Sequence, residues 1–117
     1  MKVLLVDDEE KFISSLAERL EMRGIDSDWT TTGDEAISKV KESSYDIAIL
    51  DVKMPGLGGL ELKGKLEQIN SKLKFIFVTG HGSEEDYVAG CKEGCFYIIK
   101  PFKIDDLVDK INETVEK

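Results

Sequence analysis

The sequence predicts an α/β fold, a doubly wound five-stranded parallel sheet with helices on both faces. Two observations carry that reading. Short apolar or β-branched runs alternate along the 117 residues with polar segments whose apolar residues recur at helical spacing. The central runs, Leu4-Leu5-Val6, Ile47-Ala48-Ile49-Leu50 and Phe75-Ile76-Phe77-Val78, are apolar throughout rather than alternating, as strands covered on both faces are.

In chain order, the first strand is predicted over residues 3–6. A helix over 9–23 follows, with Phe12, Ile13, Leu16 and Leu20 on one face and Gly24 as its stop. The second strand, 28–31, is weaker, and Asp26, Asp28 and Trp29 mark it as a sheet edge. Ala36, Ile37 and Val40 define a second helix over 34–42, and residues 47–50 a third strand. The third helix, 60–69, carries Leu62, Leu66 and Ile69 despite Gly64, a poor helix former. After a fourth strand over 75–79, Ser83-Glu84-Glu85-Asp86 reads as a capping box opening a fourth helix that stops by Gly94. The fifth strand spans 96–99, and Leu107, Val108, Ile111 and Val115 line a fifth helix over 104–115. Five strands fit the smaller of the two common doubly wound orders, the flavodoxin-like 2-1-3-4-5. It puts strand two at an edge and strands one and three side by side.

A chain of 117 residues is expected to form one domain, 1–117, with a core that needs no disulfide or metal staple. No apolar run approaches the roughly 20 residues of a membrane helix, and the start lacks a signal peptide's apolar stretch, so a cytoplasmic location is expected. A net charge of −8 argues against direct nucleic-acid binding and suits metal cations or a basic partner surface. Cys91 and Cys95 are read as small packing residues, since two thiols and one histidine make a poor metal site.

The densest charge is Asp7-Asp8-Glu9-Glu10, placed directly after the first apolar run. Glu9 and Glu10 are read as acids at a helix N-terminus, where the macrodipole favours them. Asp7 and Asp8 have a second reading, because ligands of such sheets bind beyond the carboxyl ends of the strands where the order reverses. Asp51 ends strand three, and neighbouring strands lie about 4.8 Å apart. Three carboxylates in one cleft raise one another's pKa unless a cation joins them, and oxygen-only ligands favour a hard cation such as Mg²⁺. The fourth strand delivers Thr79 to the same edge and the fifth delivers Lys100. Such a set suits a carboxylate nucleophile attacking phosphorus, with Mg²⁺ and Lys100 offsetting charge on the phosphoryl oxygens.

The stretches LLVDDEE, DIAILDVKMPGLGGLEL, FVTGHG and YIIKPF, in this order and spacing, closely resemble the receiver domain of two-component response regulators, the CheY-like fold, along the whole chain. The resemblance implies that Asp51 is the phosphoacceptor, Asp8 a direct Mg²⁺ ligand, Asp7 its water-mediated companion and the Lys53 backbone carbonyl a further ligand. It implies that Thr79 and Lys100 contact the phosphoryl group, that Tyr97 is an aromatic switch, and that the Lys100–Pro101 bond is cis. Lys53 and His81 match positions that tune phosphoryl lifetime. Gly58 stands where Asp is frequent, and Cys95 where Ala is usual. The implied protein is a switch rather than an enzyme, promoting its own phosphorylation and dephosphorylation. Its implied partners are a sensor histidine kinase or phosphotransfer protein and an output protein or effector domain, with a second copy of the chain a candidate on activation. The output surface is the predicted fourth helix, fifth strand and fifth helix. The chain stops shortly after that helix, which leaves a single-domain regulator or a piece of a longer one.

Three rivals are weaker. A haloacid-dehalogenase-like phosphatase needs a second acid two residues after its nucleophile, where Lys53 stands. A flavodoxin-like electron carrier needs a phosphate-binding loop after strand one, where four acids stand. A degenerate receiver acting only as an interaction module is disfavoured by the intact set of site residues.

Overall fold

The computed structural model describes residues 1–54, 56–80 and 96–116. Five strands, β1 (Lys2–Val6), β2 (Asp26–Thr30), β3 (Ile47–Asp51), β4 (Lys74–Thr79) and β5 (Phe96–Ile99), form one parallel sheet in the order β2-β1-β3-β4-β5. Four helices are described: α1 (Glu10–Met22), α2 (Gly33–Glu42), α3 (Gly59–Ile69) and α4 (Ile104–Glu116). The expected helix opening at Ser83, with His81, Cys91 and Cys95, lies outside the described residues. No described helix is long and apolar enough to cross a membrane.

Two apolar clusters sandwich the sheet. Alternate strand residues (Leu4, Val6, Ala48, Leu50, Phe75 and Phe77) pack with Ala36, Val40, Leu62 and Leu66 of α2 and α3. The intervening ones (Val3, Leu5, Ile47, Ile49, Ile76 and Val78) pack with Ile13, Leu16, Leu20, Leu107 and Ile111 of α1 and α4. Burying each large aliphatic or aromatic side chain contributes roughly 1.5–3 kcal/mol. That is why the central runs read as continuously apolar.

The edge strand begins two residues earlier than the expected 28–31. Its register against β1, Lys2 opposite Asp26 through Val6 opposite Thr30, decides this. Asp26-Ser27-Asp28 has little strand propensity, so tertiary hydrogen bonds carry it. The buried Ser27 hydroxyl donates to the Ala17 carbonyl at 3.1 Å, and the Tyr45 hydroxyl donates to Asp28 Oδ2 at 2.6 Å. Burial first, and that bond to Asp28 second, push the Tyr45 pKa well above the ordinary tyrosine value.

α1 ends in a Schellman motif. Gly24 takes φ +78°, and the Gly24 and Ile25 N–H groups donate to the Glu21 and Leu20 carbonyls, each at 3.0 Å. At the start of α3, Gly58 is the N-cap and supplies no side-chain cap. A Cβ there meets only the Val52 carbonyl at 3.7 Å, ordinary contact. Gly58→Asn is therefore expected to add about 0.5 kcal/mol, visible as a rise of about 2 °C in the melting temperature. An unchanged or lower Tm would show that the backbone there does not present a cap.

Candidate functional site

The parallel strands all end at one edge of the sheet. β1 ends at Val6, so Asp7 and Asp8 emerge there; Val6 is in register with Leu50, so Asp51 ends β3 beside them. Thr79 ends β4, and Lys100 follows β5. The Lys100 N–H donates to the Thr79 carbonyl at 2.7 Å, tying these two strand ends together. The Lys100–Pro101 peptide is cis.

Asp7 is 1% exposed. Its Oδ1 accepts the Glu9 N–H at 2.9 Å and its Oδ2 accepts from Lys100 Nζ at 3.0 Å. Asp51, 8% exposed, accepts the Lys53 N–H at 3.3 Å on Oδ1. One carboxylate oxygen from each of Asp7, Asp8 and Asp51 lies within 4.8 Å of the others. A cleft of about 270 Å³ opens over them, lined by Asp8, Glu9, Asp51, Lys53, Gly80 and Lys100. Thr79 is fully buried, and its hydroxyl has no hydrogen-bond partner among the described residues.

A family model for the response regulator receiver domain matches residues 3–112. The chain belongs to that family. The receiver domain is 34% identical over 116 residues to the uncharacterized transcriptional regulatory protein YkoG of Bacillus subtilis, covering 98% of this chain and 51% of that protein. It is 30% identical over 118 residues to the two-component response regulator PhoP of Pseudomonas aeruginosa, covering 100% of this chain and 52% of that one. It thus spans about half the length of these curated relatives. Among solved structures, the CheY-like response regulator receiver domain protein of Methanospirillum hungatei superposes with a TM-score of 0.88 at 32% identity, covering 98% of this chain and 93% of that one.

The electrostatics of the receiver domain follow from this crowding. Burial above all, then the Asp7 charge, lifts the Asp51 pKa from 3.8 to about 7; Lys100 and the Lys53 N–H pull the other way, and Asp8 adds to the rise. Burial alone lowers the Lys100 pKa, but the hydrogen bond and charge of Asp7, with help from Asp51 and Glu9, outweigh it and hold the ammonium above its ordinary value. A cluster so short of positive charge, built of oxygen donors, fits a hard divalent cation.

Tyr97 lies on β5 opposite Phe77, 40% exposed. Lys53 lines the cleft, and His81 lies outside the described residues. Glu9 stands at the helix end as read from the sequence, and it also reaches the cleft. It is the N-cap of α1 but makes no side-chain cap, and its Oε1 accepts from Lys100 Nζ at 3.3 Å instead. Helix-end chemistry accounts for Glu10 in the first turn, whereas Glu9 both caps the helix end by position and lines the cleft. The only signal in the sequence is its adjacency to Asp8, because its partner stands 91 positions away.

Proposed function

We propose that residues 1–117 act as one cytoplasmic receiver domain, a phosphorylation-driven switch rather than an enzyme acting on a separate substrate. Asp51 takes a phosphoryl group from the phosphohistidine of a sensor histidine kinase or phosphotransfer protein. The observation that carries this reading is the convergence of three carboxylates and the Lys100 ammonium on one small cleft.

In the transfer, a carboxylate oxygen of Asp51 attacks phosphorus in line as the P–N bond breaks. The donor imidazole leaves with the electron pair and takes up a proton, and an aspartyl phosphate forms. Lys100 offsets charge on the phosphoryl oxygens, and the Thr79 hydroxyl, which has no hydrogen-bond partner among the described residues, donates to one of them. Asp7, Asp8, Asp51 and the Lys53 backbone carbonyl would hold Mg²⁺, which when bound neutralises phosphoryl charge as a Lewis acid. Thr79 moving toward the new oxygens leaves space for Tyr97 to turn. The surface that includes β5 and α4 then shifts its population and engages an output protein, an effector domain or a second copy of the chain. Hydrolysis of the acyl phosphate resets the switch.

Intact-mass spectrometry after incubation with acetyl phosphate, with and without Mg²⁺ and beside Asp51→Asn, tests the reading. The expected result is a Mg²⁺-dependent gain of one phosphoryl group that Asp51→Asn lacks. No adduct under any condition would leave a phosphorylation-independent interaction module.

Lys53 and His81 are proposed to tune how long the phosphoryl group lasts. With Lys53 lining the cleft, Lys53→Asn is expected to change the dephosphorylation rate several-fold, followed as decay of the adduct after donor removal. An unchanged decay would place the Lys53 side chain out of the water's path.

A further inference from the structure

We infer that Glu9 is a positioning residue that holds Lys100 away from the phosphoryl site and so slows the charging of Asp51. The inference rests on the function proposed above and concerns a residue outside its phosphoryl-transfer machinery. Lys100 Nζ is held on three sides: by Asp7 Oδ2 at 3.0 Å, by Glu9 Oε1 at 3.3 Å and by the Phe12 ring, whose centroid is 4.5 Å away. Among the described residues it forms no ion pair with Asp51. An ammonium has three donors, and here two already point at carboxylates. To serve a phosphoryl group on Asp51, Lys100 must release at least one.

The two carboxylates differ in what frees the lysine. Asp7 belongs to the trio whose oxygens cluster within 4.8 Å, so a cation bound there competes with Lys100 for the Asp7 charge and loosens its hold. Glu9 is not in that trio, although it lines the same cleft. A cation at the trio leaves the Glu9 contact intact. It is then the remaining carboxylate restraint on Lys100 when a phosphodonor arrives. The Glu9 side chain is 67% exposed, so the pair is weak and sensitive to salt. That strength suits a contact meant to be exchanged for a phosphoryl oxygen.

The test compares initial rates of phosphoryl uptake from acetyl phosphate, with Mg²⁺ at low ionic strength, in four proteins: the parent chain, Glu9→Gln, Lys100→Met and the double variant. Lys100→Gln takes the place of Lys100→Met if the latter does not fold. Glu9→Gln is expected to be charged about threefold faster than the parent, the size of effect a weak exposed ion pair can give. The gain is expected to shrink at about 1 M salt and to vanish when Lys100 is absent, since the effect passes through that lysine. Equal or slower charging of Glu9→Gln would overturn the inference, leaving Glu9 a helix-end acid. The same gain with Lys100 absent would also overturn it, because Glu9 would then act by repelling an anionic donor. If the parent chain takes up no phosphoryl group, the proposed function and the inference fail together; if the parent is charged and Glu9→Gln matches it, only the inference fails.

Discussion

In metal-free buffer at pH 8, Asp51→Asn is expected to be more stable than the parent chain by about 3 kcal/mol. Folding lifts the Asp51 pKa from 3.8 to about 7, chiefly by burial and by the Asp7 charge. Between about pH 4 and pH 7 the folded chain therefore holds a proton on Asp51 that the unfolded chain has lost. Stability falls as the pH rises through that window. Below it both states are protonated and the penalty is absent; above it the penalty is complete. Asn carries no charge, so its stability curve lacks this fall, and its amide oxygen can still accept the Lys53 N–H that Asp51 accepts at 3.3 Å. Urea unfolding of both proteins from pH 4 to pH 8 in EDTA measures the divergence. Parallel curves, or an Asp51→Asn protein no more stable at pH 8, would refute it. Added Mg²⁺ should narrow the gap by stabilising the parent chain through mass action.

Gly59→Ala is expected to destabilise the domain by about 2 kcal/mol and to slow phosphoryl uptake about tenfold. A Cβ at this position would lie 2.8 Å from the Asp51 carbonyl oxygen and 3.0 Å from Val52 Cα. Both are backbone atoms at the end of β3, so neither can swing aside as a flexible side chain would. The Gly59 N–H also donates to the Val52 carbonyl at 3.1 Å, which pins the start of α3 to the strand end. Alanine therefore separates helix from strand, weakens that bond and displaces Asp51, the proposed phosphoacceptor. Small displacements of a reacting group are costly because its geometry enters the rate exponentially. Gly64, in the same helix, is the control: a Cβ there meets nothing within 4 Å. Gly64→Ala is expected to stabilise by up to about 1 kcal/mol and to leave uptake unchanged. The same melting curves and uptake assay serve both variants, and opposite signs at 59 and 64 are the expected outcome. If Gly59→Ala is as stable and as active as the parent, α3 does not buttress Asp51.

Helices were legible where apolar spacing and termination signals agreed, as in α1 with its four apolar face residues and Gly24. The edge strand was misplaced by two residues because Ser27 and Asp28 owe their places to Ala17 and Tyr45, partners that local propensity does not see. At the strand ends, Asp7, Asp8, Asp51, Thr79 and Lys100 could be singled out because a parallel sheet brings its strand ends to one edge. Glu9 could not, because its helix-terminal position already had an adequate local explanation.

The sequence by itself determined the parallel five-stranded architecture, the strand order and the acidic edge of the sheet. Those depend on local periodicity and on strand ends, both of which are written in consecutive residues. Only the tertiary structure decided which carboxylates hold Lys100, that the Thr79 hydroxyl is buried without a described partner, and that a glycine lies against the Asp51 backbone. Those are distances of a few ångströms between residues far apart in the chain, set by how helices seat on the sheet rather than by any local pattern.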